Sequence, residues 1–164
     1  MERLKLLFCG FSILLLACGP QQTEKQTSQE EVAQKPTFKE IKGKLKAEGY
    51  QTFDYVDAET KDSILMQQYF MAFLKSGPVR SQSKKVTDSL QTLHLAHLKR
   101  MYDDGYASIS GPFGDDGEIR GITIYNVPTL QMADSLANLD PMVKAGRLVI
   151  EVHPWWAAKG LPLR

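Results

Sequence analysis

From about Gln67 onward, the apolar residues of this chain change period in a fixed order, and few architectures accept that order. The apolar-rich run Ile64 to Leu74 ends at Lys75-Ser76-Gly77-Pro78 and reads as a long strand. A helical period follows from about Asp88 to Tyr102, with Thr87 as its N-cap and Gly105 just past its end. Next come a strand from Tyr106 to Ser110, the turn-rich stretch Gly111 to Gly117, and a strand from about Arg120 to Val127. Thr129 then caps a helix reaching to Leu139, with Met132, Ala133, Leu136 and Ala137 on one side, and Arg147 to His153 forms the last strand. The order β-α-β-β-α-β builds a four-stranded antiparallel sheet with two helices on one face. The other face must then be covered, either by a second copy of the sheet or by the residues upstream.

Those upstream residues carry their own punctuation. Thr37 is a good N-cap for a helix ending near Glu48, and Gly49 suits the position after it. Alternation in Gln51 to Val56, the polar turn Asp57 to Asp62 and the run from Ile64 then predict a β-hairpin. The fold class expected is therefore α+β, a ferredoxin-like sheet of the dimeric α/β-barrel type with an added N-terminal helix and strand. The extension spans residues 37–66 and the main domain residues 67–164. Pro154-Trp155-Trp156 reads as a plug at a sheet edge or interface.

The N-terminus predicts the compartment. Arg3 and Lys5 precede the apolar run Leu6 to Leu16, which is too short to span a bilayer and reads as a signal peptide over residues 1–17. It ends in Leu15-Leu16-Ala17-Cys18-Gly19, similar to the lipobox of bacterial lipoproteins, where cleavage leaves a lipid-bearing cysteine as the new N-terminus. Cys18 is the expected lipidation site and the membrane attachment. Gly19 is not the aspartate that retains some lipoproteins in the inner membrane, which points to an outer-membrane anchor facing the periplasm. Residues 18–36, with almost no apolar side chains, form a flexible tether.

Cleavage removes Cys9 and lipidation consumes Cys18, so thiolate chemistry, disulfides and cysteine metal sites are excluded from the mature domain. Of 20 basic and 19 acidic residues, cleavage takes Arg3, Lys5 and Glu2 and leaves 18 of each. A chain so balanced gives no reason to expect nucleic-acid binding.

Chemistry concentrates on the central helix. At 100° per residue, His94 and His97 fall inside the apolar arc of Leu90, Leu93, Leu98 and Met101, so two imidazoles point toward the core. Each is either a hydrogen-bonded core residue or a proton carrier. Asp140 also has two readings. Followed by Pro141 and, later, Gly146, it is a helix N-cap; projected from the end of the preceding helix, it reaches the apolar side. A carboxylate has two oxygens, so both roles fit at once. His94 and His97 lie only three residues apart, and with His153 they make a weak ligand set, so neither a metal nor a cofactor is expected.

The stretch His94-Leu95-Ala96-His97-Leu98, then Gly105, Ser110-Gly111-Pro112, Gly121 and Leu139-Asp140-Pro141-Met142-Val143-Lys144-Ala145-Gly146-Arg147-Leu148, resembles the YCII-related family in motif and order. Tyr69 to Pro78 is similar to that family's first strand. The resemblance implies a ferredoxin-like fold, pairing of two copies through their sheet faces, and a pocket holding one histidine and one aspartate, here His94 and Asp140. His97 stands where the family more often has an aromatic residue. Ser110 and Gly111, with His97, are the other expected pocket residues. The implied activity is acid-base chemistry on a small organic substrate, of lyase, isomerase or dehalogenase type. The alternative is a non-catalytic ligand-binding or assembly module of the cell envelope.

Overall fold

The computed structural model describes residues 35–163. The expected signal peptide, the expected lipidation site Cys18 and most of the expected tether lie outside the described residues. Helix α1, Phe38–Ala47, opens on a capping box in which Thr37 and Glu40 satisfy each other's backbone N–H groups. Gly49, with φ of +85°, lets the chain turn out of the helix. Strand β1, Thr52–Val56, pairs antiparallel with the first half of β2, Ser63–Ser76.

The remaining elements are α2 (Lys84–Asp103), β3 (Ala107–Pro112), β4 (Ile119–Tyr125), α3 (Leu130–Ala137), the short α4 (Pro141–Lys144) and β5 (Leu148–Ala158). β5 runs antiparallel along one side of β2 from Met66 to Ser76. On the other side, β4 pairs with Phe70 to Lys75 and β1 with Ser63 to Gln67, end to end. β3 closes the far edge against β4. The order β5-β2-β4-β3 is the ferredoxin-like sheet, and all its neighbours are antiparallel.

Strand alternation decides what each face carries. Phe70 and Ala72 of β2 pack with Met101 of α2 and Ala133 and Ala137 of α3. Leu74 packs with Met142 and Leu148, against Leu90 of α2. Each such large apolar side chain contributes roughly 1.5–3 kcal/mol on burial. Leu65, Gln67 and Tyr69 have the opposite parity and are also buried. That end of the opposite face belongs to the N-terminal segment: Lys42 of α1 pairs with Asp54 of β1, and the Tyr50 hydroxyl donates to the Asn126 carbonyl at 3.0 Å. Gln67, fully buried, donates to Asn126 Oδ1 at 2.6 Å. The added segment therefore covers only one end of this face. Met71, Phe73, Ile122 and Ile124 follow the same parity in the other half of the sheet and stay half-buried.

The boundaries of α2, β3 and β5 differ from the sequence expectation. Helix α2 begins at Lys84 because Ser83, not Thr87, accepts from a first-turn amide. Its exposed opening turn has no apolar period to announce it, and the Lys84–Asp88 pair spans that turn. Strand β3 runs on through Gly111 and Pro112, and β5 runs past His153 through Pro154 to Ala158. Both are edge strands, where a proline can direct its missing N–H away from the ladder. The Trp155-Trp156 pair thus sits inside a strand, with Trp156 edge-on to Phe53 at 4.9 Å. Among the described residues, no helix is long and apolar enough to cross a membrane.

Candidate functional site

Helix α2 carries His94 to the base of a cavity of about 390 Å³ between α2, the β3–β4 edge and the α4–β5 junction. The ring is 8% exposed and its Nδ1 lies 2.5 Å from Oδ2 of Asp140. Asp140 is itself 2% exposed and caps α4: its Oδ1 accepts from the Met142 amide at 2.8 Å. Its own amide donates to the Ala137 carbonyl at 3.2 Å, which ties it to the end of α3. The cap and the histidine contact therefore use different oxygens of one carboxylate. Asp140 does not line the cavity; it stands behind His94.

This arrangement sets the imidazole tautomer. An ionised carboxylate only accepts, so Nδ1 carries the proton and the Nε2 lone pair is left for a ligand. A base within hydrogen-bond reach of an orienting acceptor is the geometry that general acid-base chemistry requires.

Ser110 and Gly111 both line the cavity. The Ser110 hydroxyl is 2.9 Å from that of Thr123, which is 1% exposed, so β4 holds it in place. Gly121 lets β3 and β4 close at this wall, since a Cβ there would come within 2.6 Å of the Gly111 carbonyl oxygen.

His97 does not line the cavity, contrary to the sequence expectation. One turn further along α2, its ring is turned into the core, 2% exposed, with Nδ1 3.0 Å from an Arg100 guanidinium nitrogen. Arginine only donates, so Nδ1 of His97 accepts and its proton sits on Nε2. The two histidines of one helix thus hold opposite tautomers. Burial pushes the His97 pKa below its ordinary value, with the Asp140 charge opposing and the Arg100 charge reinforcing the shift. Burial likewise raises the Tyr125 hydroxyl far above its ordinary range, with the Asp140 charge adding to the effect, so this core phenol stays neutral.

His153 lies on the opposite sheet face, with Nε2 2.7 Å from Glu151. Among the described residues, no three metal-ligating side chains converge. The charged cavity residues were not anticipated from the sequence: Arg80 from the loop after β2, Arg120 from β4 and Arg147 just before β5. They are widely separated along the chain, and no local motif marks them.

Sheet order, helix placement and the cavity define a ferredoxin-like α+β domain with a histidine–aspartate pair at its pocket. The chain belongs to the YCII-related domain family, which matches residues 69–156. No curated protein matches it. Among solved structures, it is similar to the 5-chloro-2-hydroxyhydroquinone dehydrochlorinase of Burkholderia phenoliruptrix, solved in complex with 2,5-dihydroxybenzoquinone. Identity is 22% and the TM-score 0.42, over 53% of this chain and 92% of that one. Helix α1 and strand β1 precede the residues that match the family.

Proposed function

We propose that this protein is a lipid-anchored enzyme of the cell envelope in which His94 moves a proton on a small organic molecule. The observation that carries the reading is the 2.5 Å contact of His94 Nδ1 with the buried Asp140, which leaves Nε2 for a ligand in a cavity of small-molecule size. In the forward step, the Nε2 lone pair takes a proton from a carbon beside a carbonyl, or from a phenolic hydroxyl. The electron pair left behind stays on the substrate as enolate or phenolate. Asp140 stabilises the imidazolium so formed, which returns the proton to another substrate atom. Ser110, fixed by Thr123, supplies a hydroxyl to the same space.

The test is turnover of a panel of small carbonyl and phenolic compounds by the full chain and by His94→Gln. General acid-base catalysis contributes about 10²–10⁴ in rate, and His94→Gln should lose a factor of that order while keeping its circular dichroism and a cooperative thermal transition. Retained turnover removes His94 from the mechanism. Panel members that bind but are never converted favour the binding-module alternative.

The envelope location rests on Cys18 and the apolar run before it. Cells fed a clickable palmitate should label the wild type and not Cys18→Ala; equal labelling removes the anchor. The half-buried Met71, Phe73, Ile122 and Ile124 support a second copy of this chain across the open sheet face. Sedimentation should then find a dimer that Phe73→Asp converts to monomer; a monomeric wild type removes that partner.

A further inference from the structure

Three arginines line the His94 cavity and, among the described residues, no aspartate or glutamate does. Asp140, the nearest buried negative charge, already faces the His94 imidazole and the α4 amide. We infer that the cavity takes a small organic acid, with Arg147 and Arg120 receiving its carboxylate and the apolar wall receiving its hydrocarbon body. This rests on the proposed function in placing the ligand in the His94 cavity, but it does not require His94 to transfer a proton.

Arg147 is a positioned side chain. Its Nη1 donates to Gln82 Oε1 at 2.9 Å, and Gln82 is held in turn by its Nε2 donating to the Ala145 carbonyl at 3.2 Å. The Arg147 Nε–H is buried and has no acceptor among the described residues. A buried donor in that state is stabilised by an incoming anion. The backbone around it is also fixed: Gly77 N–H donates to the Arg147 carbonyl at 2.8 Å and Val79 N–H to the Gly146 carbonyl at 3.0 Å.

Arg120 reaches the cavity from β4. Its Nη1 donates to the Gly117 carbonyl at 3.1 Å, and its only carboxylate contact among the described residues is Asp116 at 3.4 Å, a fully exposed side chain. Such a surface contact is weak enough for a ligand to displace. Arg80, more exposed, extends the positive charge to the rim and forms no ion pair among the described residues. Guanidinium forks match carboxylates in plane and pairwise, whereas a neutral molecule would leave these donors unanswered. Leu74, Leu98, Met142 and Leu148 line the rest of the space and suit an aryl or alkyl body.

The test uses 4-fluorobenzoate and 4-fluorophenylacetate against their neutral amides, with the full chain and fluorine NMR as the readout. The acids should bind at least ~10-fold tighter than the amides, the discrimination that one charge-assisted hydrogen bond supplies. Arg147→Gln and Arg120→Gln should each reduce that preference, and the double variant should erase it. Arg147→Lys, which keeps the charge and loses the fork, should fall between. Melting temperatures identify any variant that misfolds; if Arg147→Gln does, Arg120→Gln carries the comparison.

Equal affinity for acid and amide, binding by neither, or a preference that survives in a folded double variant overturns the inference. Failure of the proposed function reads differently. A wild-type chain that prefers the acids to their amides and turns over no member of the panel sinks that reading and leaves this one standing.

Discussion

Asp140 offers the sharpest test of how one carboxylate serves two purposes. Replacing it by alanine removes the α4 cap, worth about 1 kcal/mol, and the contact with His94. A hydrogen bond to a charged group contributes about 1.5–3 kcal/mol, and the side chains are only 11% and 3% exposed, so solvent screens this one little. Asp140→Ala should therefore lose about 2.5–4 kcal/mol. Asp140→Asn keeps a good capping oxygen and should lose at most the His94 share of about 1.5–3 kcal/mol. In a His94→Ala background, Asp140→Ala should lose only the cap, leaving a coupling energy of about 1.5–3 kcal/mol in the double-mutant cycle. Urea unfolding followed by the fluorescence of Trp155 and Trp156, both on β5, gives each free energy. If Asp140→Ala is equally destabilising with and without His94, the pair contributes nothing and Asp140 is a cap alone.

Two further perturbations probe the surroundings of the site. Burial holds the His97 pKa below its ordinary 6.5, so the unfolded chain binds this proton at a higher pH than the folded one. Stability contributed by the neutral ring is therefore present above 6.5 and lost as pH falls toward the folded value. Melting temperatures between pH 7.5 and 5 should show a slope that His97→Gln flattens, and an unchanged slope refutes the assignment. Gly77→Ala would place its Cβ 2.3 Å from the Gly146 carbonyl oxygen, forcing apart two backbone segments that build the Arg147 rim. A loss of about 1–3 kcal/mol in urea unfolding is expected; wild-type stability would show that the rim yields freely.

What was legible in the sequence and what was not divide along the distance over which each signal acts. Thr37 and Gly49 bound α1 through contacts within a few residues, and the Asp140-Pro141 start of α4 is equally local. The alternation and helical periods from Gln67 onward determine the sheet because the strands have one buried face. The apolar arc and the cap marked His94 and Asp140 with two readings each, and it was the resemblance to the YCII-related family that paired them. The same arc turned His97 toward the core, where it lies, but its angle alone does not separate a ring lining a cavity from one sealed behind it. The extent of β5 was hidden by Pro154, which ends an interior strand but not an edge strand. The arginines had no signal at all. Arg80 follows a strand, Arg120 sits within one and Arg147 precedes one, and each taken alone reads as an ordinary solvated cation. Only the antiparallel closure of β2, β4 and β5 brings these sequence regions to one mouth. A pattern read along one chain segment can mark a buried imidazole on a helix and a carboxylate at a cap, and a family motif can pair them. The charge around the cavity mouth is a property of the closed sheet, which is why the arginines came together only in the structure.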